Sequence, residues 1–449
     1  MISDIIKSLK ENDLKLPIWL GQLISYYPYS YRPIVGKIYR TRMKEIKSYD
    51  KLSDKEREDF IFKRIYSITE YAIANIPFYK DYYKKHNFSI SNLQKFDDIQ
   101  RIPIINKHDL LEYPIELRSN IDVPKFLVNT GGSSGYTLSF YVQPSSIGNE
   151  WAHIHTMWSR IGYKPSDLKL YIAGRSVVKD GVDYEFARHT LSLDMYRPFE
   201  DTAPRLKKIL KKHPCYYLHG YPSVLSEFAN YCKTDVELLN LLKGKLRGAF
   251  MSSEYPYPMY REPIEQIFNI PAQSFYGHTE RCVMAYETNK KFKFVPFQTY
   301  GFTEAIPNAE NHFDLIGTSY YNLASPLIRY NTKDVIDNPT YENGILSSFD
   351  IYEGRSGQFI LDKNDRKVSL TGLVMGRHHK LFDYCSHIQI IQEKKGEATI
   401  LYVSKQGGSI DNPEKLFDES NVDIVFNFKK IDEPIRTISG KVNLLVTKP

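Results

Sequence analysis

The chain has 449 residues, of which 42% are hydrophobic and 25% are charged, and its formal net charge is +7. This length allows a large core and at least two domains, and the composition excludes a disordered chain and a membrane bundle. The mild positive charge gives no argument for nucleic acid as a partner, but it favours anionic substrates such as nucleotides or coenzyme A.

The N-terminal sequence and the cysteines favour a cytoplasmic protein. MISDIIKSLKENDLK has acidic residues where a signal peptide has a basic start and an apolar core, and no later apolar run reaches spanning length. The four cysteines show neither CxxC pairs nor metal-ligand spacing. We therefore expect a reduced, cytoplasmic protein with no transmembrane segment and no cysteine zinc site.

Residues 1–120 are expected to be mostly helical. Residues 16–39 combine apolar side chains such as Trp19 and Leu23 with nearby basic residues, a pattern that fits a membrane-surface helix but better fits a helix packed on the main domain. Ser53 and Asp54 can cap a helix that runs to about residue 74, before Pro77.

A glycine- and hydroxyl-rich turn, VNTGGSSG, lies between the strand-like runs 126–128 and 138–142. Its glycines permit positive φ and close approach of an oxyanion to main-chain N–H groups, and its hydroxyls add donors. The residues concerned are Thr130, Gly131, Gly132, Ser133, Ser134 and Gly135. No lysine follows as in a P-loop, so these residues alone leave a phosphate-binding turn and a flexible hairpin equally open.

Short apolar runs then alternate with helical patterns. The expected strands are residues 169–173, 216–218, 246–251 and 273–275. Strands that alternate with helices predict a mainly parallel α/β sheet, whose ligands gather beyond the carboxyl ends of its strands. The polar clusters SSE and YGHTE follow two of these strands and are therefore candidate site residues.

The remaining chain predicts closing antiparallel strands and a second domain. Residues 315–320, 327–330 and 344–349 alternate like antiparallel strands, and the two glycines of EGRSG at 353–357 predict a hinge. Beyond it, HIQIIQ, ATILYVS and DIVFNF predict strands around a short helical stretch. We expect a large α/β domain at 1–352, the hinge at 353–357 and a small, mobile α+β domain at 358–449.

Five ordered motifs resemble those of the adenylate-forming superfamily, in its branch of phenylacetate-CoA ligases and CapK-type capsule biosynthesis proteins. TGGSSG is similar to the TSGTTG phosphate loop, YGHTE to YGxTE, and LIRYNTKD to RYxTGD, while EGRSGQFI resembles the GRxDD hinge motif and ISGKV the C-terminal SGK. HGYPSVL and SPLIRY resemble the capsule-associated branch. The motifs run from about Pro103 to Lys441, which leaves the first hundred residues weakly matched.

The resemblance implies an AMP-forming ligase that uses ATP and Mg²⁺. A carboxylate attacks the α-phosphorus of ATP to give an acyl-adenylate and pyrophosphate, and an amine or a thiol then displaces AMP. Coenzyme A is a co-substrate where the acceptor is a thiol. The implied catalytic residues are Lys441, which places a positive charge at the reacting oxygens, and Glu280, which ligates Mg²⁺.

The resemblance also implies the nucleotide site. The turn at 130–135 would hold the β- and γ-phosphates, and Thr279 would reach the α-phosphate. The residues implied around the nucleoside are Tyr276 against adenine, Ser253, Glu254 and Gly277 in the pocket wall, Asp334 on the ribose, and Arg355 on the nucleoside or its phosphate. Each has a plainer alternative when taken singly, such as a salt bridge from Glu280 to Arg281 or a turn cap at Asp334.

Two positions depart from the family pattern. Gly357 and Gln358 stand where paired acids are usual in the hinge motif, and Lys333 replaces the usual glycine before Asp334. Neither removes a group that the first step needs. Both leave the second step open.

The carboxylate pocket is expected near the phosphate loop and the end of the 216–218 strand. The candidate pocket residues are Trp151, His155, His219, Gly220, Tyr221 and Pro222. An aromatic lining suits an aryl or another planar acid, although aromatic residues that pack between helices look the same in sequence.

Two alternatives to the leading hypothesis stay open. The hypothesis is a ligase of surface-polysaccharide or related biosynthesis that passes an acyl group to an amine or thiol. A plain aryl-acid CoA ligase is the runner-up, and a catalytically silent scaffold of capsule assembly is the alternative of another class. A nucleotide-sugar glycosyltransferase would need an Asp-x-Asp motif in the sheet domain, which the sequence lacks. Related ligases are often dimers, so the N-terminal helices are a candidate homodimer interface.

Overall fold

The structure is a computed structural model. It describes residues 16–33, 35–130, 138–172, 178, 180–309, 311–352, 358–375, 377, 379–405, 410–435 and 443–446. Within these residues, no helix is both long enough and apolar enough to cross a lipid bilayer.

The helices of the described residues are mostly in the first 270 positions. They are α1 (Ile18–Ser25), α2 (Gly36–Tyr49), α3 (Asp54–Asn75), α4 (Pro77–Lys85), α5 (Lys107–Leu111), α6 (Ser145–Trp158), α7 (Phe199–Leu210), α8 (Pro222–Thr234), α9 (Val236–Leu242), α10 (Pro258–Phe268), α11 (Leu381–Tyr384) and α12 (Pro413–Leu416).

The strands begin after the helical N-terminal region. They are β1 (Phe126–Asn129), β2 (Ser139–Val142), β3 (Lys169–Ile172), β4 (Val182–Glu185), β5 (Thr190–Leu193), β6 (Tyr217–Gly220), β7 (Gly248–Met251), β8 (Ala272–Gly277), β9 (Met284–Glu287), β10 (Lys293–Pro296), β11 (Gly301–Pro307), β12 (Phe313–Ser319), β13 (Tyr330–Glu342), β14 (Ile345–Ile351), β15 (Phe359–Leu361), β16 (Lys367–Ser369), β17 (Cys385–Lys394), β18 (Glu397–Ser404) and β19 (Val425–Lys430).

The N-terminal helices follow the start signals of the sequence. Ser53 accepts a hydrogen bond from the Glu56 backbone, and the Glu56 carboxylate accepts one from the Ser53 backbone at 2.8 Å, so α3 begins at a capping box as expected. The helix ends at Asn75, and Pro77 begins α4, because proline at a first helical position lacks only an N–H that would be unpaired there.

One sheet of 12 strands runs through the large domain, within the described residues, and one half is parallel. Strands β5, β3, β6, β7 and β8 are parallel neighbours, with β4 antiparallel at the edge. From β8 the sheet continues antiparallel through β9, β10, β14, β13, β12 and β11. The predicted α/β fold class is confirmed, and the antiparallel part is larger than the sequence suggested because β9 to β11 lacked a clear alternating pattern.

Apolar cores cover both faces of this sheet. Helices α7 to α10 pack on one face of the parallel half, around buried residues such as Leu170, Leu218 and Phe228. On the other face, Trp158 of α6 stacks on Phe250 of β7 with ring centroids 4.3 Å apart. Helices α3 and α4 cover the antiparallel half.

The C-terminal residues form a smaller core of their own. Strands β17 and β18 pair antiparallel, and β19 joins β18 in parallel. Their apolar residues form one cluster that also includes Tyr196 of the large sheet domain. The predicted α+β character of this unit agrees with these elements. The division at 353–357 stays a prediction, because that segment lies outside the described residues.

Candidate functional site

The carboxyl ends of three parallel strands meet at one edge of the sheet. Gly220 at the end of β6 pairs with Met251 at the end of β7, and Met251 pairs with Ser274 in β8. The polar residues that follow β7 and β8 therefore lie at the same edge. This is where an open α/β sheet forms its ligand crevice.

Tyr276 and Asp334 lie together at this edge although they belong to distant parts of the chain. The Tyr276 hydroxyl donates to Asp334 Oδ2 at 2.5 Å. Burial, and then the charge of Asp334, raises the pKa of Tyr276 well above its ordinary value, so its hydroxyl stays a donor at neutral pH. Thr332 Oγ1 also accepts from the Asp334 backbone at 3.2 Å, which fixes the turn that presents the carboxylate.

Glu280 is held as a carboxylate in a nearly enclosed position. Its side chain is 14% exposed, Oε2 lies 3.1 Å from His278 Nδ1, and Oε1 accepts from the Tyr330 hydroxyl at 3.4 Å. Burial is the largest single influence and opposes the charge, but the hydrogen bond and charge of His278, the charge of Lys107 and a backbone hydrogen bond together outweigh it and lower the pKa of Glu280 to about 2. The salt bridge between Glu280 and Arg281 that the sequence left open does not form. Arg281 Nη2 instead lies 3.1 Å from Glu150 Oε2.

Lys107 brings a positive charge to Glu280 from the N-terminal region. Ile105 forms a parallel bridge with Tyr330, and this bridge places the start of α5 beside β13, the strand that contains most of the RYNTKD motif. The attraction of Lys107 contributes to the lowered pKa of Glu280. Sequence reasoning missed this residue because the segment 101–110 showed only a proline-marked link, and no local pattern indicates the bridge to Tyr330.

The neck of the glycine-rich turn is fixed by Thr130. The Thr130 backbone donates to the Leu138 carbonyl at 2.9 Å, and the Leu138 backbone donates to Thr130 Oγ1 at 2.9 Å. Strands β1 and β2 are an antiparallel hairpin, as the two apolar runs indicated. The predicted phosphate-binding residues Gly131, Gly132, Ser133, Ser134 and Gly135 lie outside the described residues.

The other predicted nucleotide residues surround the ends of β7 and β8. Gly277 ends β8 and is exposed, and a Cβ there would meet nothing within 4 Å. Thr279 is partly buried in the next turn. Ser253 is exposed, whereas Glu254 is buried and accepts a hydrogen bond from the Ser223 backbone at 3.2 Å. The Glu254 carboxylate therefore lies at the amino end of α8, where the helix dipole favours a negative charge.

Three residues at this edge have a positive φ, a backbone conformation that glycine adopts more readily than other residues. The φ values are +69° at Ser253, +59° at Arg281 and +62° at Lys333. Such strain concentrates at functional sites. At Lys333 it also explains the family pattern, because the glycine that usually precedes this aspartate suits the same left-handed conformation.

The six predicted pocket residues do not line a single face. Trp151 and His155 lie on one side, where His155 Nδ1 is 3.1 Å from the Tyr39 hydroxyl and burial lowers the pKa of His155. His219 is on that side too, with its ring 5.0 Å from Trp158 and Nε2 3.4 Å from Ser252 Oγ.

Gly220, Tyr221 and Pro222 have other surroundings. A Cβ at Gly220 would overlap the Ile172 carbonyl oxygen, so the glycine permits close strand packing. Tyr221 belongs to the core on the opposite face, and Pro222 is the buried first residue of α8. Neighbouring residues at a strand end point to opposite faces, which is why the set is divided.

Two further predicted site residues belong to the last two motifs. Arg355, in the hinge motif, and Lys441, in the ISGKV motif, lie outside the described residues. Residues 443–446, just beyond Lys441, are fixed to the C-terminal unit, because Leu445 forms a parallel bridge with Ile390.

The chain is similar in sequence to one known protein and in fold to solved ligase structures. No protein-family model matches the chain. It is 23% identical to protein CapK of Staphylococcus aureus over 333 residues, which cover 69% of this chain and 72% of CapK. A structure of 2-hydroxyisobutyryl-CoA ligase with 2-HIB-AMP and CoA in the thioesterification state aligns with 88% of this chain and 90% of its own, with a TM-score of 0.56 at 16% identity. An open conformation of that ligase with the same ligands aligns with 88% of this chain and 93% of its own, with a TM-score of 0.54 at 16% identity. The fold is that of the adenylate-forming ligases.

The adenylate-forming fold confirms the resemblance that the ordered motifs indicated. It does not by itself assign roles to residues. His278, Tyr330 and Lys107 were all missed, although His278 lies inside YGHTE and Tyr330 inside LIRYNTKD. Their positions within the motifs were visible, but their contacts with Glu280 depend on the pairing of distant strands.

Proposed function

We propose that this chain is an ATP-dependent ligase that activates a carboxylate as an acyl-adenylate and passes the acyl group to an amine or a thiol. The observation that carries the proposal is the convergence of two acidic groups at one sheet edge. Asp334 is held by Tyr276, the penultimate residue of β8, and Glu280 is held by His278, the first residue after that strand. The resemblance of HGYPSVL and SPLIRY to the capsule-associated branch, together with the likeness to CapK, supports a place in surface-polysaccharide or related biosynthesis.

In the first step, a carboxylate oxygen bonds to the α-phosphorus of ATP while the bond to the β-phosphate bridging oxygen breaks and pyrophosphate leaves. Asp334 accepts from ribose hydroxyls, with Tyr276 beside the base. The turn above Thr130 binds phosphate, with Thr279 near the α-phosphate and Lys441 at the reacting oxygens. These roles orient the reactants and offset the negative charge that gathers on the phosphorus oxygens.

Glu280 suits Mg²⁺ because it is a carboxylate with a lowered pKa, and Mg²⁺ in nucleotide sites is held by one or two carboxylates together with substrate phosphates. When bound, the ion would neutralise phosphate charge. Lys107 would add a second positive charge near the same phosphates.

In the second step, the acceptor attacks the carbonyl carbon of the acyl-adenylate, loses a proton, and AMP leaves. The structural relatives carry CoA together with an acyl-adenylate, which favours coenzyme A as the thiol acceptor here. The rings of Trp151 and His155 from the predicted pocket pack against each other with centroids 5.2 Å apart, so they give no argument for an aryl acid in particular.

The test is ATP–pyrophosphate exchange by the purified protein with Mg²⁺ and panels of aryl, fatty, amino and uronic acids. We expect exchange that depends on one class of acid and falls by about two to three powers of ten in Lys441→Ala, by analogy with other transition-state donors. Lys429→Ala, an exposed lysine on β19, is the matched control. An absence of exchange with every acid, together with no ATP binding by calorimetry, would leave the scaffold hypothesis as the better one.

A further inference from the structure

Helix α1 is fixed to the large domain by one face. Gly21 and Ser25 are buried, and a Cβ at Gly21 would overlap the Tyr184 hydroxyl. Gln22 Oε1 is 2.8 Å from His189 Nε2, and Gln22 Nε2 donates to the Ser166 carbonyl at 3.2 Å. The glycine and these hydrogen bonds determine which side of α1 faces outward.

The outward side of α1 and the turn after it form an apolar surface. Trp19 is 60% exposed and Leu23 is 61% exposed, one helical turn apart. The surface consists of Trp19, Leu23, Ile24, Tyr26, Tyr27 and Tyr31. The other exposed large apolar side chains of the described residues are scattered from position 117 onward, so this cluster is an unusual concentration.

A basic stripe on α2 adjoins this apolar surface. Lys37, Arg40, Lys44 and Lys47 are exposed and recur at helical spacing, so they share one face of the helix. The opposite face, with Tyr39 and Ile46, is buried. The Arg40 guanidinium lies 5.5 Å from the centre of the Tyr31 ring, which joins the stripe to the apolar surface.

The charge of this region is not balanced locally. Residues 16–49 contain six basic residues and a single acidic one, Glu45, in a chain whose net charge is +7. Glu45 forms ion pairs with Arg42 and Arg64. The carboxylate of this region is therefore engaged by other arginines, and the exposed stripe keeps a positive surface.

We propose that the apolar surface of α1 and the basic stripe of α2 dock this protein on an anionic lipid bilayer. Tryptophan, tyrosine and leucine beside a row of lysine and arginine suit the headgroup region, where aromatic rings enter the interface and basic side chains contact anionic headgroups. The charge favours a lipid surface over a second copy of the chain, because two copies of the same basic stripe would repel each other. The inference is independent of the proposed ligase activity.

The test is flotation of the full-length protein with vesicles of equal parts phosphatidylglycerol and phosphatidylcholine, compared with vesicles of phosphatidylcholine alone. We expect binding to the anionic vesicles that weakens as salt is raised. Replacing Lys37, Arg40, Lys44 and Lys47 with Gln should weaken it by about fivefold for each charge. Trp19→Ser with Leu23→Ser should weaken it by roughly tenfold or more.

Matched controls test whether binding depends on where the charge or apolar area is removed, and not only on how much is removed. Changing Lys80, Lys212, Lys290 and Lys429 to Gln removes the same charge from exposed sites elsewhere, and Val236→Ser with Met259→Ser removes exposed apolar area elsewhere. Both controls should bind like the wild type, with unchanged thermal unfolding in all variants.

Three results would each overturn the proposal. The first is no binding to anionic vesicles, or a loss of binding that is as large in the control variants as in the variants of the apolar surface and the basic stripe. The second is a dimer, seen by sedimentation velocity, that Trp19→Ser with Leu23→Ser dissociates while no variant changes vesicle binding. The third is vesicle binding that appears only after deletion of residues 2–15, which would identify that segment as the occupant.

Discussion

The hydrogen bond from Tyr276 to Asp334 sets the position of the carboxylate proposed to bind ribose. Tyr276→Phe removes a donor to a charged group, which costs about 1.5–3 kcal/mol. We expect the KM for ATP in pyrophosphate exchange to rise roughly tenfold with a smaller change in kcat, because the loss affects nucleotide binding before the reacting atoms. Tyr341→Phe, on the exposed part of β13, is the control and should leave both constants unchanged. An unaltered KM for ATP in Tyr276→Phe would refute the role given to this pair.

Glu280 should make the stability of the protein depend on pH in the acid range. Its pKa is lowered to about 2 in the folded protein, from an ordinary value of 4.5, so the unfolded chain binds more protons between these values. The contribution of the charged carboxylate is complete above about pH 4.5 and is lost as pH falls toward 2.

The Glu280→Gln variant tests this dependence through urea unfolding at several pH values. The variant cannot titrate at this position, so the difference in unfolding free energy from the wild type should shrink by on the order of 3 kcal/mol between pH 5 and pH 2. Glu414→Gln, at an exposed position of α12, should show no such trend. A difference that stays constant across this range would show that Glu280 is not held as a stabilised carboxylate.

At the scale of elements, Thr130 closes the neck of the glycine-rich turn at the end of the β1–β2 hairpin through its backbone N–H and its hydroxyl. Thr130 is 4% exposed, and its Oγ1 accepts from the Leu138 backbone. In Thr130→Val the shape is kept but the buried N–H loses its acceptor, which should lower the unfolding free energy by about 1–3 kcal/mol. We also expect a higher KM for ATP, because the residues between 130 and 138 are proposed to bind its phosphates. Thr130→Ser keeps the hydroxyl and should restore both values, and failure of this rescue would indicate a packing effect.

Elements with local signals were predictable from the sequence. The capping box at Ser53, the strands predicted at 216–218, 246–251 and 273–275, and the hairpin around the glycine-rich turn all depend on residues close in sequence, although β6 and β8 each extend two residues beyond the predicted end. The surroundings of the predicted pocket residues were not predictable, because the direction of each side chain at a strand end depends on the register of that strand with its neighbours.

At the scale of the whole molecule, the contacts between residues far apart in sequence could not be predicted. The contact of Tyr276 with Asp334 requires residues 58 positions apart to meet, and the influence of Lys107 on Glu280 requires the bridge between Ile105 and Tyr330. Motif order identified the acidic residues through resemblance. It carried no information on the neighbours that orient them, because those neighbours come from strand pairing across the sheet.

Several separate contacts join the described part of the C-terminal unit to the large domain. Arg377, whose side chain is fully buried, lies with its guanidinium 4.3 Å from the centre of the Tyr196 ring. Asn129 at the end of β1 donates to Asp383 at 2.7 Å, and Ser369 is 3.4 Å from Glu254. These contacts place the unit beside the neck of the glycine-rich turn and the end of β7.

Tyr196→Ala should loosen this unit without unfolding the large domain. The change removes a buried ring from the shared apolar cluster, and truncation of a buried aromatic residue costs about 3–5 kcal/mol. By hydrogen exchange with mass spectrometry, we expect peptides from β17 and β18 to exchange roughly tenfold faster or more, because they open as one cooperative unit. Peptides from β3, β6 and β7 should keep their rates, and Tyr341→Ala should change neither set. If all peptides accelerate together in Tyr196→Ala, the two cores unfold as one, and the proposed division of the chain near residues 353–357 fails.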